Sequence, residues 1–289
     1  MSQHPLPKRP YRDGVRLSVV GMGGIVLIGH EQAECDRIVA EAVERGVNYF
    51  DVAPSYGSGE AEAKLGPALR AHREDVFLAV KTLKRDAAGA RAELEGSLRA
   101  LGTERIDLYQ FHGVGSTEEA ESILAPGGAM EAFRAARERG IVRFIGLSAH
   151  SEEGAVRLMA SGLVDSVLFP LNFACWHRGG FGRRIMEEAA RRGVARMALK
   201  AIARCPWPEG GEREYPKCWY RPLGEDEPRL ADIALRWTLS HDITATVPPG
   251  DARLFRMCVE TACSEVAGAP VATDELLAAT EGEEPIFSS

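Results

Sequence analysis

The stretch Val76-Phe77-Leu78-Ala79-Val80-Lys81, followed by the amphipathic run Ala87–Leu101 and then by Ile106-Asp107-Leu108-Tyr109-Gln110-Phe111-His112, decides how the chain is to be read. A short β-branched and apolar run, a helical period and a second such run make a strand–helix–strand unit of a parallel sheet. The same alternation extends in both directions. Upstream, strands are expected at Val19–Gly23 and Val47–Asp51, with helices at Ala33–Arg45 and Gly59–Ala71. Downstream, strands are expected at Val142–Ser148, Ser166–Pro170, Ala195–Lys200 and Thr244–Val247. Helices at Met130–Arg139, Glu152–Ala160, Arg183–Arg192, Arg229–Ser240 and Asp251–Cys263 separate them.

Eight strands, each followed by a helix, is the count of a closed parallel β/α (TIM) barrel, and about 250 residues commonly fill one. A doubly wound dinucleotide fold would need a glycine fingerprint. Gly21-Met22-Gly23 starts one, but Val26 stands where the third glycine would fall, and no phosphate-loop motif occurs. The 289 residues therefore read as a single α/β domain, 1–289. A short N-terminal β-hairpin cap is expected at about 11–24, and a long Pro/Gly-rich loop at 203–228.

Composition narrows the function classes. The core-forming residues make up 45% of the chain and charged residues 27%, an ordinary globular balance. Lys and Arg number 35 against 42 Asp and Glu, a formal charge of −7, the wrong sign for general attraction to nucleic acid or anionic lipid. An anionic ligand must be met by a local basic cluster. The first apolar run, Leu17–Ile28, is too short for a membrane span and is broken by Ser18 and by glycines, and no signal peptide is seen. Six scattered cysteines without paired spacing suggest a reduced, cytoplasmic protein and no structural metal; Cys175, His177, Cys205 and Cys218 lack zinc-site spacing. The oligomeric state is not legible.

In a barrel, chemistry gathers at the C-terminal ends of the strands. Three successive strands end on Asp51, Lys81 and His112, and Tyr56 lies in the turn just past Asp51. Singly, each has a structural explanation as cap, loop aromatic or solvated rim group. Together, an acid, an ammonium, a phenol and an imidazole on neighbouring strand ends form a proton-transfer set. A close Lys ammonium stabilises phenolate and lowers the phenol pKa, a carboxylate behind it holds it charged, and the imidazole donates to a substrate oxygen or relays a proton.

The segment Gly46-Val47-Asn48-Tyr49-Phe50-Asp51-Val52-Ala53-Pro54-Ser55-Tyr56-Gly57 resembles the G-x-N-x-F/I-D-T-A-x-x-Y-G segment of the aldo-keto reductases. Phe77–Thr82 is similar to their lysine strand, Leu101–His112 to their L-x-x-D-Y-I-D-L-Y-x-x-H run, and Gly140–Ser148 to their G-x-I-R-x-I-G-x-S strand. The resemblance implies a barrel that transfers a hydride from NADPH, with NADH as the alternative, to an aldehyde or ketone. Asp51, Tyr56, Lys81 and His112 fall on the family's catalytic tetrad. It further implies cofactor contacts at Ser148, Asn172, Lys200 and Gly250, and at Arg253, Arg256 and Glu260 on the last helix, where basic groups and helix amides meet adenosine phosphates.

Two family contacts to the nicotinamide carboxamide are replaced, by Ala149 and Leu168, and Leu199-Lys200 is similar to the branch reading M-K in the seventh strand, without that branch's iron–sulfur module. These departures keep two other classes open: a cofactor-binding regulatory or sensor barrel with little turnover, and a lyase or isomerase using the same residues for proton transfer. The loop aromatics Trp207, Tyr215, Trp219 and Tyr220, with Trp176 and His177, read either as a lid over the substrate or as local packing; Trp237 reads as core.

Overall fold

The computed structural model describes residues 4–264 and 270–289. Strands β1 (Lys8–Pro10) and β2 (Arg16–Ser18) form an antiparallel hairpin. The barrel follows as β3 (Met22–Gly23), β4 (Tyr49–Val52), β5 (Phe77–Thr82), β6 (Ile106–Val114), β7 (Val142–Ala149), β8 (Ser166–Pro170) and β9 (Ala195–Leu199). Strands β10 (Ala203–Pro206) and β11 (Tyr220–Pro222) lie outside it, and β12 (Ala245–Val247) completes it. Every neighbouring pair in this eight-stranded sheet is parallel. Closure comes from a parallel bridge between Val20 and Thr246: the Gly21 N–H donates to the Thr246 carbonyl and the Thr246 N–H to that of Val19, both at 2.9 Å.

Helices α1 (Gln32–Glu44), α2 (Glu60–Leu69), α3 (Ala87–Leu101), α4 (Thr117–Leu124), α5 (Ala129–Glu138) and α6 (Glu152–Ala160) pack outside the strands. They are followed by α7 (Phe173–His177), α8 (Arg183–Arg192), α9 (Pro228–Leu239), α10 (Ala252–Ala262) and α11 (Thr273–Ala279). Side chains on N-cap residues set several of the starts: Asp86, Ser116 and Ser151 accept from the backbone N–H groups of Gly89, Glu119 and Gly154. None of the described helices is long and apolar enough to cross a membrane.

Strand alternation sorts the barrel into two populations. One parity faces the helices and joins the large cluster of Val, Leu, Ile and Phe residues there. The other fills the interior: Tyr49 on β4, Phe77 and Ala79 on β5, Leu108 on β6, Phe144 on β7, Leu168 on β8 and Met197 on β9. Continuing the same parity toward the strand ends reaches Asp51, Lys81, Gln110 and Ser148, so the polar rim is the top layer of a packed interior.

The eight expected strands and their helices are present, with two corrections. The cap lies earlier than 11–24: its strands are β1 and β2, residues 11–15 are their turn, and Met22–Gly23 belongs to the barrel. Its function is to plug the lower end, where Tyr11 packs edge-on against Phe77 and Phe144 with ring centres 5.3 and 5.2 Å away. The loop 203–228 is not strandless, because β10 and β11 pair antiparallel within it. Gly21, which opened the abortive glycine fingerprint, has a packing reason: a Cβ there would sit 2.3 Å from the Tyr49 ring.

Asn48 stitches the plug to the barrel. Its Oδ1 accepts from the Ser18 N–H at 2.7 Å, its Nδ2 donates to the Arg16 carbonyl at 2.9 Å, and its own N–H donates to Ser18 Oγ at 3.2 Å. Replacing it strands partly buried backbone groups. Asn48→Ala is expected to lower stability by about 1–3 kcal/mol, read from urea unfolding.

Candidate active site

The next-to-last residue of β4 is a buried carboxylate and that of β5 a buried ammonium, and the two meet. Lys81, 1% exposed, donates from Nζ to Asp51 Oδ1. Gln110 Nε2 donates to Asp51 Oδ2 at 3.0 Å, and the Tyr49 hydroxyl approaches the same oxygen at 3.3 Å. Tyr56 stands above this pair in the turn after β4, where Gly57 takes φ +59°, a left-handed conformation that suits glycine. Its ring centre lies 5.0 Å from Lys81 Nζ and 5.5 Å from the His112 ring, which meets it edge-on. Ser55 Oγ is 3.5 Å from His112 Nδ1, the His112 carbonyl is held by Arg85, and the following Gly113 N–H donates to Ser148 Oγ at 2.8 Å.

Burial and charge set the protonation states. Burial alone would discharge Lys81, but Asp51 and Tyr56 more than offset it, so the ammonium is held above its ordinary range. Burial raises the Tyr56 phenol, and Lys81 only partly opposes it. The net direction is therefore the reverse of the sequence expectation, although the Lys81 effect has the expected sign. The His112 imidazole is pushed down to about 3, by burial first and then by the charge of Lys81 and, further off, of His150, Lys200 and Arg85. The site thus holds a neutral phenol, a neutral imidazole and a paired lysine.

Asp51, Tyr56, Lys81 and His112 line one cavity of ≈ 190 Å³. Of the other expected residues, Ser148, Lys200 and Gly250 share its wall. Asn172 does not: it is fully buried, and its Oδ1 caps α7 by accepting from the Cys175 N–H at 2.9 Å. Arg253, Arg256 and Glu260 lie on α10, outside that wall. Arg256 forks onto both oxygens of Glu41, Arg253 pairs with Asp251 and Glu225, and Glu260 faces Arg45. Both arginines thus already carry acidic partners, in partly exposed pairs.

Sequence reading missed Gln110 and Tyr49 as partners of Asp51, though both sit on the inward parity. It also missed His150 and Lys217 in the cavity wall. Among the loop aromatics, Trp219 and Tyr220 line the cavity, whereas Trp207 donates to the Cys218 carbonyl at 2.7 Å and the Tyr215 hydroxyl accepts from the Glu225 N–H at 3.1 Å. Trp176 and His177 pack against the buried Trp237.

The residues fit the nicotinamide end of a cofactor: Leu168 and Leu199 offer an apolar face, and Ser148, whose oxygen accepts from Gly113, keeps its O–H to donate.

Comparison with known proteins agrees with this geometry. The profile of the Aldo/keto reductase family matches residues 20–218, and the chain belongs to that family. It is 32% identical over 144 residues to the uncharacterized oxidoreductase YqkF of Bacillus subtilis, covering 46% of this chain and 45% of that protein. It is 30% identical over 176 residues to the aldo-keto reductase YhdN of the same organism (55% and 51%), and 36% identical over 116 residues to the methylglyoxal reductase YeaE of Escherichia coli (38% and 40%). The chain thus matches about half the length of these curated relatives or less. The holo-form structure of aldo-keto reductase AKR11C1 from Bacillus halodurans superimposes with a TM-score of 0.71 at 25% identity, covering 94% of each chain.

For His112 the sign is clear. An unfolded histidine takes its proton near 6.5 and the folded one near 3, so the stability linked to this group is present above about pH 6.5 and drains away as the pH falls toward 3. Nitrogen-detected NMR at pH 5 is expected to show His112 as neutral imidazole, whereas an exposed histidine is mostly protonated there.

Proposed function

We propose that the protein is a nicotinamide-dependent carbonyl reductase in which Tyr56 is the general acid. The observation that supports this most directly is the buried Lys81–Asp51 pair beneath Tyr56, with neutral His112 beside it in the same cavity. A cofactor held against Leu168, Leu199 and Ser148 supplies the hydride when bound. The carbonyl carbon gains that hydride and its oxygen takes the Tyr56 proton, giving the alcohol. His112, neutral and therefore able to donate one hydrogen bond, orients and polarises the oxygen. As the proton leaves, charge develops on the phenol oxygen beside the Lys81 ammonium, and that is when Lys81 counts: it favours the product phenolate over the resting phenol. Asp51 keeps Lys81 charged and fixed.

The raised Tyr56 pKa suits a reductase, because the proton-bearing form persists through neutral pH. NADPH is the proposed donor, with NADH the alternative. A 2′-phosphate reaching Arg256 would replace Glu41 in a half-exposed pair, an interaction worth only about 0–1 kcal/mol. Methylglyoxal, named for the Escherichia coli relative, is the first carbonyl to try, as the cavity is small.

The test is to titrate NADPH and NADH by tryptophan fluorescence and then to follow loss of reduced-cofactor absorbance with a panel of aldehydes. Tyr56→Phe is expected to cut turnover by about 10²–10⁴-fold while cofactor affinity stays within about threefold. Tight cofactor binding with no turnover by the unaltered protein would favour a sensor, and retained turnover in Tyr56→Phe would remove Tyr56 from its role.

A further inference from the structure

Three lysines line the cavity. Lys81 is held by Asp51, and Lys217 donates to the carbonyl oxygens of Val26 and Ile28 at 2.9 and 3.2 Å. Lys200 is different. Its side chain is 9% exposed, yet among the described residues its ammonium has no hydrogen-bond acceptor and no carboxylate at ion-pair distance. It lies instead over two rings that meet edge-on, with Nζ 5.5 Å from the centre of Trp219 and 5.6 Å from that of Phe287, and the ring centres 5.8 Å apart.

The groups that face it offer no counter-charge. Cys175 on α7, Lys81 on β5, His112 on β6 and the rim residue His150, whose ring lies tilted against Phe287 with centres 4.8 Å apart, are thiol, cation and imidazoles. Among the described residues of the cavity wall Asp51 is the one carboxylate, and Lys81, Gln110 and Tyr49 already engage it. A buried cation without a partner is costly, and proteins rarely keep one without use.

The backbone adds an independent sign. Lys200 takes φ +64°, a left-handed conformation unfavourable for a residue with a Cβ, at the point where β9 ends over the cavity. Glycine would relieve the strain, but this chain has a lysine there.

We propose that Lys200 receives an anionic group on the substrate, a carboxylate, so that the preferred substrates are short carbonyl acids whose C=O reaches Tyr56 and His112. This rests on the reductase reading of the same cavity. Trp219 and Phe287 together cover one side of the amine, and Lys200 itself lines the cavity, where a compact anion can reach it. Burial lowers the amine to about 7, so an arriving carboxylate draws a proton onto it. Anion affinity is accordingly expected to weaken as the pH rises from 6 to 8.

The proposal is tested by comparing kcat/KM for 4-oxobutanoate and for butanal, a neutral aldehyde of the same chain length, in the unaltered protein, Lys200→Met and Lys200→Arg. Both variants meet the same backbone strain, so they differ chiefly in charge. The unaltered protein is expected to favour 4-oxobutanoate. In Lys200→Met the ratio should fall about tenfold or more through KM, and Lys200→Arg should keep it within about threefold. Equal loss with both aldehydes, or an unchanged ratio, overturns the proposal. So does an unchanged ratio with weakened NADPH binding, which would assign the amine to the cofactor's phosphates. Calorimetric titration with oxamate, which needs no turnover, decides separately. Binding by the unaltered protein that is lost in Lys200→Met supports the anion site even if neither aldehyde is reduced, and equal or absent binding in the two proteins overturns it.

Discussion

The carboxylate of Asp51 and the ammonium of Lys81 meet inside the barrel at 3% and 1% exposure, and the rest of the site is arranged around that contact. Removing two opposite charges from water costs several kcal/mol per ion, and their attraction repays it only when the geometry is good and the remaining lone pairs are satisfied. Here Gln110 and Tyr49 occupy the second oxygen of Asp51, Tyr49 from the same strand β4 and Gln110 from β6 beyond the lysine strand, both on the inward-facing parity. Beneath them Phe77, Leu108, Phe144 and the plugging Tyr11 shut out water from below. A pair so enclosed cannot trade its partner for solvent, so the charge on Lys81 is permanent and its position fixed.

That fixed charge acts on two neutral neighbours in ways that complement each other. Burial favours the uncharged form of both Tyr56 and His112, raising the phenol and lowering the imidazole. Lys81 then works in one direction on both, disfavouring a second cation at His112 and favouring an anion at Tyr56. The result is an imidazole that stays a hydrogen-bond donor and a phenol that keeps its proton until charge moves onto its oxygen. The sequence reading had the Lys81 effect on Tyr56 in the right sense but not the larger effect of burial, which depends on how deeply the turn after β4 seats the ring.

What was legible in the chain follows from local period and parity. The alternation of short β-branched runs with helical stretches fixes the strands within a few residues, and the strand-ending Asp51, Lys81 and His112 stand out because a polar residue at the end of an apolar run faces the same interior. Features built from distant partners were not legible. Strands β10 and β11 pair across a long loop, and β1 and β2 are three residues each, too short to show a period. The pairing of Arg256 with Glu41, 215 positions away in sequence, and the capping of α7 by Asn172 Oδ1 were of this kind.

The pairing of Arg253 and Arg256 bears on how charge is distributed. The chain carries a net −7, so an arginine on an outer helix is surrounded by acids, and on α10 each one finds a partner. Inside the cavity, among the described residues, three lysines share the wall with one carboxylate, which Lys81 already engages, and burial keeps the two imidazoles there neutral. Surface pairs of this kind contribute little and are readily exchanged, whereas an unmatched buried cation is held at a cost that the surrounding fold must offset. Among the described residues Lys200 is the amine of this wall without a hydrogen-bond or ion-pair partner, and it shares the cavity with Tyr56. An anion met by Lys200 would be brought to the cavity that also holds the proton donor, joining recognition and chemistry through charge as well as shape.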